Sequence, residues 1–210
     1  LSLALTGWSG SPRTPTADAA TELLAQLSPE QRVGQLFLVT FRGSTLPADS
    51  WLLELASPGL ISGVQLSAAY GNFGVSADGR PAATSLIGSL QAAALGDVGG
   101  ATPTAAPSPG DPAAEAGPRI PLLIAVRAEG DGAPWSTVAA GYPDAPSQMA
   151  IGATWDPDLA REVGMALGRN LEQLGVNLLL GPSLDVLGDP RLGSPQDLGV
   201  RSFGGDPYWV

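Results

Sequence analysis

The chain has 210 residues, 44% of them apolar and 14% charged, with ten basic side chains against twenty acidic ones and a net charge of −10. That length carries one full-sized core or two small ones, and an acidic surface without a basic patch excludes recognition of phosphate backbones and polybasic docking on anionic lipid. Neither Cys nor His occurs, so disulfides, thiol nucleophiles, imidazole bases and the usual zinc or copper ligands are ruled out, and chemistry must rest on carboxylates, Arg, Tyr, hydroxyls or backbone groups.

The chain opens with "LSLALTGWSGSP", a short apolar run and then small residues, in the manner of the tail of a secretory signal or of a disordered leader. Residues 1–17 are therefore read as leader and linker, and export is the expected fate of the protein. A helix follows over 18–27. In "SPEQ", Ser28 is an N-cap, Pro29 takes the first helical position and Gln31 the capping-box position. The short helix they open leads into "LFLVTF" at 36–41, an apolar run expected to form a strand buried on both faces. The same grammar then repeats, with a helix over 46–56, a strand over 61–67 and a helix over 82–95. Residues 96–118, "GDVGGATPTAAPSPGDPAAEAGP", are a low-complexity insertion. A third strand is expected over 120–126. Asp156 and Pro157 then start a long helix with Leu159, Val163, Ala166, Leu167, Leu171 and Leu174 on one face, and Gly175 stops it before a fourth strand at 176–181. No apolar span reaches membrane length.

Strands that alternate with helices and are apolar on both faces indicate a parallel α/β fold. Four such units are visible, whereas an eight-fold barrel takes ~250 residues. The expected architecture is thus a partial (β/α)8 barrel occupying 18–210, about the first four βα units, with the insertion at 96–118. Because half a barrel leaves strand edges open, the remaining half is expected from sequence beyond Val210. No strand runs into a phosphate-cradling Gly pattern that opens a helix, which argues against a nucleotide-binding fold. No metal or organic cofactor is implied.

Five blocks, "SPEQRVGQLFLVTF", "ISGVQLS", "PLLIAV..EG", "GVNLLLGPSLDV" and "LGVRSFGGDP", occur in an order and spacing that resemble the N-terminal barrel domain of glycoside hydrolase family 3, in particular its bacterial β-N-acetylglucosaminidase branch. The resemblance implies a site at the C-terminal ends of the strands, a carbohydrate substrate, and hydrolysis of β-linked sugars. It also implies that the nucleophilic Asp and the acid/base come from later barrel loops, past Val210, so that no catalytic residue lies within this chain.

What the resemblance assigns to this chain is the holding of substrate. Arg201, in "VRSFG", matches the family Arg that donates to sugar hydroxyls. A guanidinium suits that role because its fixed donors fork between two adjacent oxygens, although a surface pairing with Asp197 or Asp206 is the alternative. Asp185, in "PSLDV", either orients Arg201, accepts from a sugar hydroxyl, or caps the following loop. Where the family reads Asp-x-Glu-Gly-Gly, the chain reads Arg127-Ala128-Glu129-Gly130-Asp131. Glu129 and Gly130 are kept, but an acceptor for sugar hydroxyls has become Arg127, a donor of opposite charge. Three readings stay open: Asp131 takes the vacated role, the substrate brings its own carboxylate to Arg127 (as muramic or uronic sugars would), or the protein is a catalytically silent relative that binds glycan. Trp135, Tyr142, Trp155, Tyr70 and Phe73 are candidates for stacking on sugar rings, with anchoring of loops to the core as the competing role. Asn72, in "NFG", stands where the family often has an Asn, and no role is assigned to it.

Overall fold

The computed structural model describes residues 17–73, 80–96, 118–129, 145–187, 198–208 and 210. Most of the expected leader (1–17) and insertion (96–118) lies outside these residues, as do Asp131, Trp135 and Tyr142. Helix α1 (Ala17–Gln26) and helix α2 (Pro29–Gly34) lead into strand β1 (Leu38–Val39). Then come α3 (Trp51–Ala56), β2 (Gly63–Gln65), a 3-10 turn at Ala68–Tyr70, α4 (Arg80–Leu95), β3 (Leu123–Val126), α5 (Gln148–Gly152), α6 (Pro157–Leu174), β4 (Leu178–Leu179) and a 3-10 turn at Gly199–Arg201. The four strands form one sheet in the order β1-β2-β3-β4, and each neighbouring pair is parallel. Sequential parallel strands joined by helical crossovers are the arrangement of a (β/α) barrel segment.

Register explains which side of the sheet is core. Val39, Val64 and Ile124 stand opposite one another across three strands, and all three belong to or pack against the main apolar cluster. That cluster is completed by α3, through Leu52 and Ala56, by α4 and by the end of α6, through Leu171 and Leu174. On α4 the buried residues Ala83, Leu86, Ile87, Leu90 and Ala94 recur at helical spacing and form one stripe. The other side of the sheet follows the alternate register: Leu38, Gly63 and Leu123 are partners, and Leu38 is 36% and Leu123 42% exposed. Gly63 is required there, because a Cβ would stand 2.1 Å from the Leu123 carbonyl oxygen.

This corrects the expectation that residues 36–41 are a strand buried on both faces. Only Leu38–Val39 pair, while Leu36 is 81% and Phe37 55% exposed. Among the described residues, β1 is paired on one side only, and Leu38, on the face away from the helices, stays 36% exposed, so the apolar run at this edge is not enclosed. The other strands are likewise shorter than their apolar runs. Helix α3 begins at Trp51 rather than 46, because Ser50 caps it by accepting from Leu52 N–H. Helix α5 was not expected, although Ser147 caps it through Ala150 N–H. On α6 the anticipated face is buried only towards its end: Ala166 is exposed and Leu159 and Val163 are half-buried.

Strands this short are held by side-chain amides as much as by ladder hydrogen bonds. Asn177 accepts from Ile124 N–H at 2.7 Å and donates to Leu122 O at 3.0 Å, which locks β4 to β3. Gln91 on α4 grips both backbone groups of Leu122 at 2.9 Å. Gln31 completes the expected capping box with Ser28 and also donates to Pro58 O at 2.8 Å. Asn72, fully buried, accepts from Ser67 N–H and donates to Phe41 O and Gly43 O. It fastens the segments after β1 and β2 together, with Phe73 beside it in the core.

Asn72→Ala leaves those three backbone groups unpaired, and a loss of about 3 kcal/mol is expected in urea unfolding with unchanged slope. Ser89→Ala, on an exposed part of α4, is expected to stay within about 0.5 kcal/mol. Equal losses would contradict the clamp.

Candidate active site

Strand β3 delivers Arg127, Ala128 and Glu129 to the C-terminal end of the sheet. The Glu129 side chain is 2% exposed, and two guanidinium groups meet its carboxylate. Arg201 donates through Nε to Oε2 and through Nη2 to Oε1, the latter at 3.1 Å, a two-pronged fork of the kind that fixes both planes. Arg127 reaches the same Oε1 from its own Nη2 at 3.5 Å. The Arg201 side chain is 16% exposed and that of Arg127 36%. Hydrogen bonding to Glu129 holds Arg201 above the ordinary arginine range, against the opposing effect of burial, and the charges of Glu129 and Asp185 add to the rise. A raised folded-state value means that this contribution is complete below the unfolded arginine range and is lost only in strong alkali. Arg201 therefore stays charged throughout the physiological range.

Gly181, two residues past β4, lies against the Glu129 side chain: a Cβ there would be in ordinary contact, 3.5 Å from Glu129 Cγ, and what glycine supplies is its φ of +150, which a side chain rarely tolerates. Pro182 follows through a cis peptide bond. Asp185 is exposed, with its carboxylate 3.4 Å from Ser183 Oγ, and its charge acts on Arg201 at longer range. The Asp185 side chain meets Ser183 locally and, among the described residues, makes no hydrogen bond to Arg201.

The turn that carries Arg201 is tied down behind the site. Ser202 is fully buried, and its hydroxyl lies 2.8 Å from Gly204 O and 3.2 Å from Asp185 O. Leu187 N–H donates to Gly204 O at 3.0 Å. Helix α5 presses against the same segment so closely that a Cβ on Gly152 would fall 1.8 Å from Phe203 O. Sequence reasoning singled out neither Ser202 nor Gly152 individually, although Ser202 lies within the quoted "VRSFG" block. A cavity of about 310 Å³ lies beside Glu129, bounded by Gln148, Leu167, Pro182 and Phe203 among others. Gln148 is 3% exposed, and its Oε1 has no hydrogen-bond partner among the described residues.

The structure thus brings Arg127, Glu129 and Arg201 together, sets Asp185 at their margin, and pairs Arg201 with Glu129 instead of Asp206. Two strands away, Arg42 lies 5.6 Å over the Tyr70 ring, Phe73 belongs to the core, and Trp155 is 72% exposed at the head of α6. Among the described residues, no group of three or more Asp and Glu is placed to hold a metal ion, and no helix is long and apolar enough to cross a membrane.

Known proteins resemble this chain in both sequence and structure. Residues 112–210 match the family model "Glycosyl hydrolase family 3 N terminal domain", which includes β3, β4 and the Arg201 turn. In structure, the chain is similar to a glycoside hydrolase family 3 beta-N-acetylglucosaminidase from Paenibacillus sp. str. FPU-7, with a TM-score of 0.62 and 27% identity over 87% of this chain and 28% of that one. It also shares the fold of NagZ from Neisseria gonorrhoeae, with a TM-score of 0.53 and 21% identity over 82% of this chain and 42% of that one. In sequence, a 62-residue segment is 44% identical to a probable beta-glucosidase E of Aspergillus fumigatus, which is 30% of this chain and 6% of that protein. A 68-residue segment is 41% identical to Beta-glucosidase 2 of Saccharomycopsis fibuligera, 32% of this chain and 7% of that protein. The chain therefore spans a small share of each curated relative, and the relatives' names differ in the sugar they state. What they share is the family whose model the chain matches: residues 112–210 are similar to the N-terminal domain of glycosyl hydrolase family 3.

Proposed function

We propose that the full-length protein hydrolyses O-glycosidic bonds in β-linked glucose-type or N-acetylglucosamine-type oligosaccharides, and that this chain supplies the part of the site that holds the sugar. The observation that carries the reading is the Arg201 fork on buried Glu129, standing at the strand ends of a chain that matches this family's model over residues 112–210. Hydrolysis breaks the bond between the anomeric carbon and the bridging oxygen; water gives its hydroxyl to the carbon and a proton to the departing oxygen. With retention of configuration this takes two carboxyl-type groups about 5 Å apart. Both oxygens of Glu129 already accept from Arg201, so Glu129 is a positioning residue and not the nucleophile. In this reading the nucleophile and the acid/base come from other parts of the full-length protein, as the resemblance implies.

The role of Glu129 is to set the plane of the Arg201 guanidinium before substrate arrives. A sugar hydroxyl entering in that plane meets a donor whose orientation is already fixed, which lowers the cost of binding and alignment. Asp185, exposed near the end of β4, supplies an acceptor for another hydroxyl. The apolar run over residues 1–5 and the small residues after it support export, which would place the substrate among extracellular or cell-wall saccharides. One observation favours a second reading, a glycan-binding protein without hydrolysis: Arg127 stands where the resemblance implies an acceptor for sugar hydroxyls.

The test is release of nitrophenol by the full-length protein from 4-nitrophenyl β-D-glucoside and 4-nitrophenyl N-acetyl-β-D-glucosaminide. Turnover of at least one is expected, with Arg201→Ala lowering kcat/KM by about a hundredfold and Glu129→Gln acting more on KM than on kcat. Binding of either sugar without product would favour the second reading, and neither binding nor product would contradict both. Gly152→Ala, on α5 behind the Arg201 turn, is expected to cost about 2 kcal/mol of stability and to lower kcat/KM, because the Arg201 segment must move away from α5. Unchanged kinetics in that variant would show that α5 does not position the site.

A further inference from the structure

We infer that the chain carries a second saccharide-binding site, a cleft beside the Arg201 turn in which the rings of Trp155 and Tyr208 take the faces of β-linked sugar residues. The kind of sugar, and that alone, rests on the glycosidase reading above. The cleft has a volume of about 760 Å³ and is walled by Trp155, Asp156, Leu184, Phe203, Asp206 and Tyr208 among others. Its large apolar side chains are not withdrawn into the core: Trp155 is 72%, Leu184 66% and Tyr208 82% exposed. Phe203, two residues after Arg201, also borders the cavity beside Glu129, so the two spaces share a wall.

The backbone at Trp155 marks it out. Among the described residues it is the one non-glycine position with a positive φ, +55. It stands in the turn between α5 and α6, where its N–H donates to Gly152 O at 3.1 Å. Glycine would make that turn without strain, and an aromatic residue there is an outlier. Burial does not offset the strain, since most of the side chain faces solvent. Strain kept at the wall of a cleft is the kind of departure from which a binding role is inferred. The polar walls fit the same ligand. Asp156 Oδ1 accepts from the N–H groups of Asp158 and Leu159, and Asp206 Oδ1 accepts from Tyr208 N–H at 2.9 Å. Both carboxylates are thus held by the backbone, and each has a second oxygen with which to accept from a hydroxyl. A β-linked pyranose carries C–H groups on its faces and hydroxyls around its edge, so aromatic rings and fixed acceptors are the two surfaces it needs. Among the described residues no base lines the cleft, which argues against an anionic ligand. A compact cation would need rings within about 6 Å of one point, whereas this volume lies in the upper part of the roughly 300–1,000 Å³ range of small-molecule pockets and holds more than one sugar ring.

The test is calorimetric titration of the full-length protein with thio-linked cellotetraose and thio-linked chitotetraose, whose glycosidic sulfur resists cleavage. Hydrolysis of 4-nitrophenyl β-D-glucoside and 4-nitrophenyl N-acetyl-β-D-glucosaminide, which carry a single sugar, is measured beside it. Two variants are used: Tyr208→Ala, at an exposed position, and Trp155→Gly, in which glycine suits the left-handed turn and the fold is not put at risk. At least one tetrasaccharide is expected to bind, and each variant to weaken that binding at least tenfold while changing kcat/KM on the nitrophenyl substrates less than twofold. Trp155→Phe, which has φ to endure but keeps a ring, should recover part of the loss seen in Trp155→Gly. Binding that is absent from the unaltered protein, or unchanged in the two variants, would overturn the inference. Parallel losses in binding and in nitrophenyl hydrolysis would overturn it too, because the residues would then serve the Glu129 and Arg201 site or the fold. Hydrolysis by the unaltered protein leaves the glycosidase reading intact in each of these cases. Tetrasaccharide binding that depends on Trp155 and Tyr208, without hydrolysis of either nitrophenyl substrate, removes that reading and supports the inference.

Discussion

A carboxylate with 2% of its side chain exposed can persist in a folded chain only when its charge is answered, because the cost of removing it from water is several kcal/mol. Glu129 is answered twice, by Arg127 two residues before it and by Arg201 seventy-two residues after it. The second pairing ties the end of β3 to a turn beyond β4. It fixes the orientation of two guanidinium groups at the end of the sheet where the sugar is proposed to sit. Such a cluster is weak evidence for stability, since apolar replacements of buried ion pairs are often neutral or better. Its value here is positional: it sets donors in place before substrate arrives. The nearby departures from ordinary packing serve the same cluster. Gly181 lets the chain turn at φ +150 beside the Glu129 stem, buried Ser202 fastens the Arg201 turn to Asp185 and Gly204, and Gly152 lets α5 lie against Phe203.

Beneath the site lies a sheet whose strands run from two to four residues, too short for ladder hydrogen bonds alone to fix register. The chain supplies polar side chains that complete the ladder from outside it. Asn177 and Gln91 converge on Leu122, the residue before β3. Gln35 donates to Gly59 O and Ile61 O ahead of β2, and Asn72 closes the far end of β1 and β2. A buried amide that meets several backbone groups restricts register more sharply than an apolar contact, because a one-residue slip would leave all of them unpaired. The arginines at the strand ends inherit their positions from these clamps.

Much of this could be read from the residues. Ser28-Pro29-Glu30-Gln31 gave a capping box and Asp156-Pro157 with Gly175 bounded a helix, because caps are local and their chemistry lies in adjacent side chains. The order of four strands and their helical crossovers followed from apolar runs set between helical spacings. Strand length was overestimated, since an apolar run records the tendency to be buried and says nothing of which residues find a pairing neighbour; Leu36 stays 81% exposed, and among the described residues Phe37 hydrogen-bonds to the neighbouring segment through Ser62 alone. Helix α5 is a single short turn whose only local signal is Ser147. The pairing of Glu129 with Arg201 joins the end of β3 to a turn beyond β4, and no local pattern in the chain encodes it; only the order of blocks resembling the family set the two residues at one end of the expected barrel. Asn72 was passed over because a lone Asn on a loop looks like a turn former until its three backbone partners are known.

The central claim is that Glu129 and Arg201 act as one unit although they come from different ends of the second half of the chain. A double-mutant cycle on unfolding free energy, using Glu129→Gln, Arg201→Met and the combination, tests it most directly. The account predicts that the double variant loses less than the sum of the two single losses, by at least about 1 kcal/mol, because the first substitution has already broken the pair. Losses that add to within about 0.4 kcal/mol would contradict it.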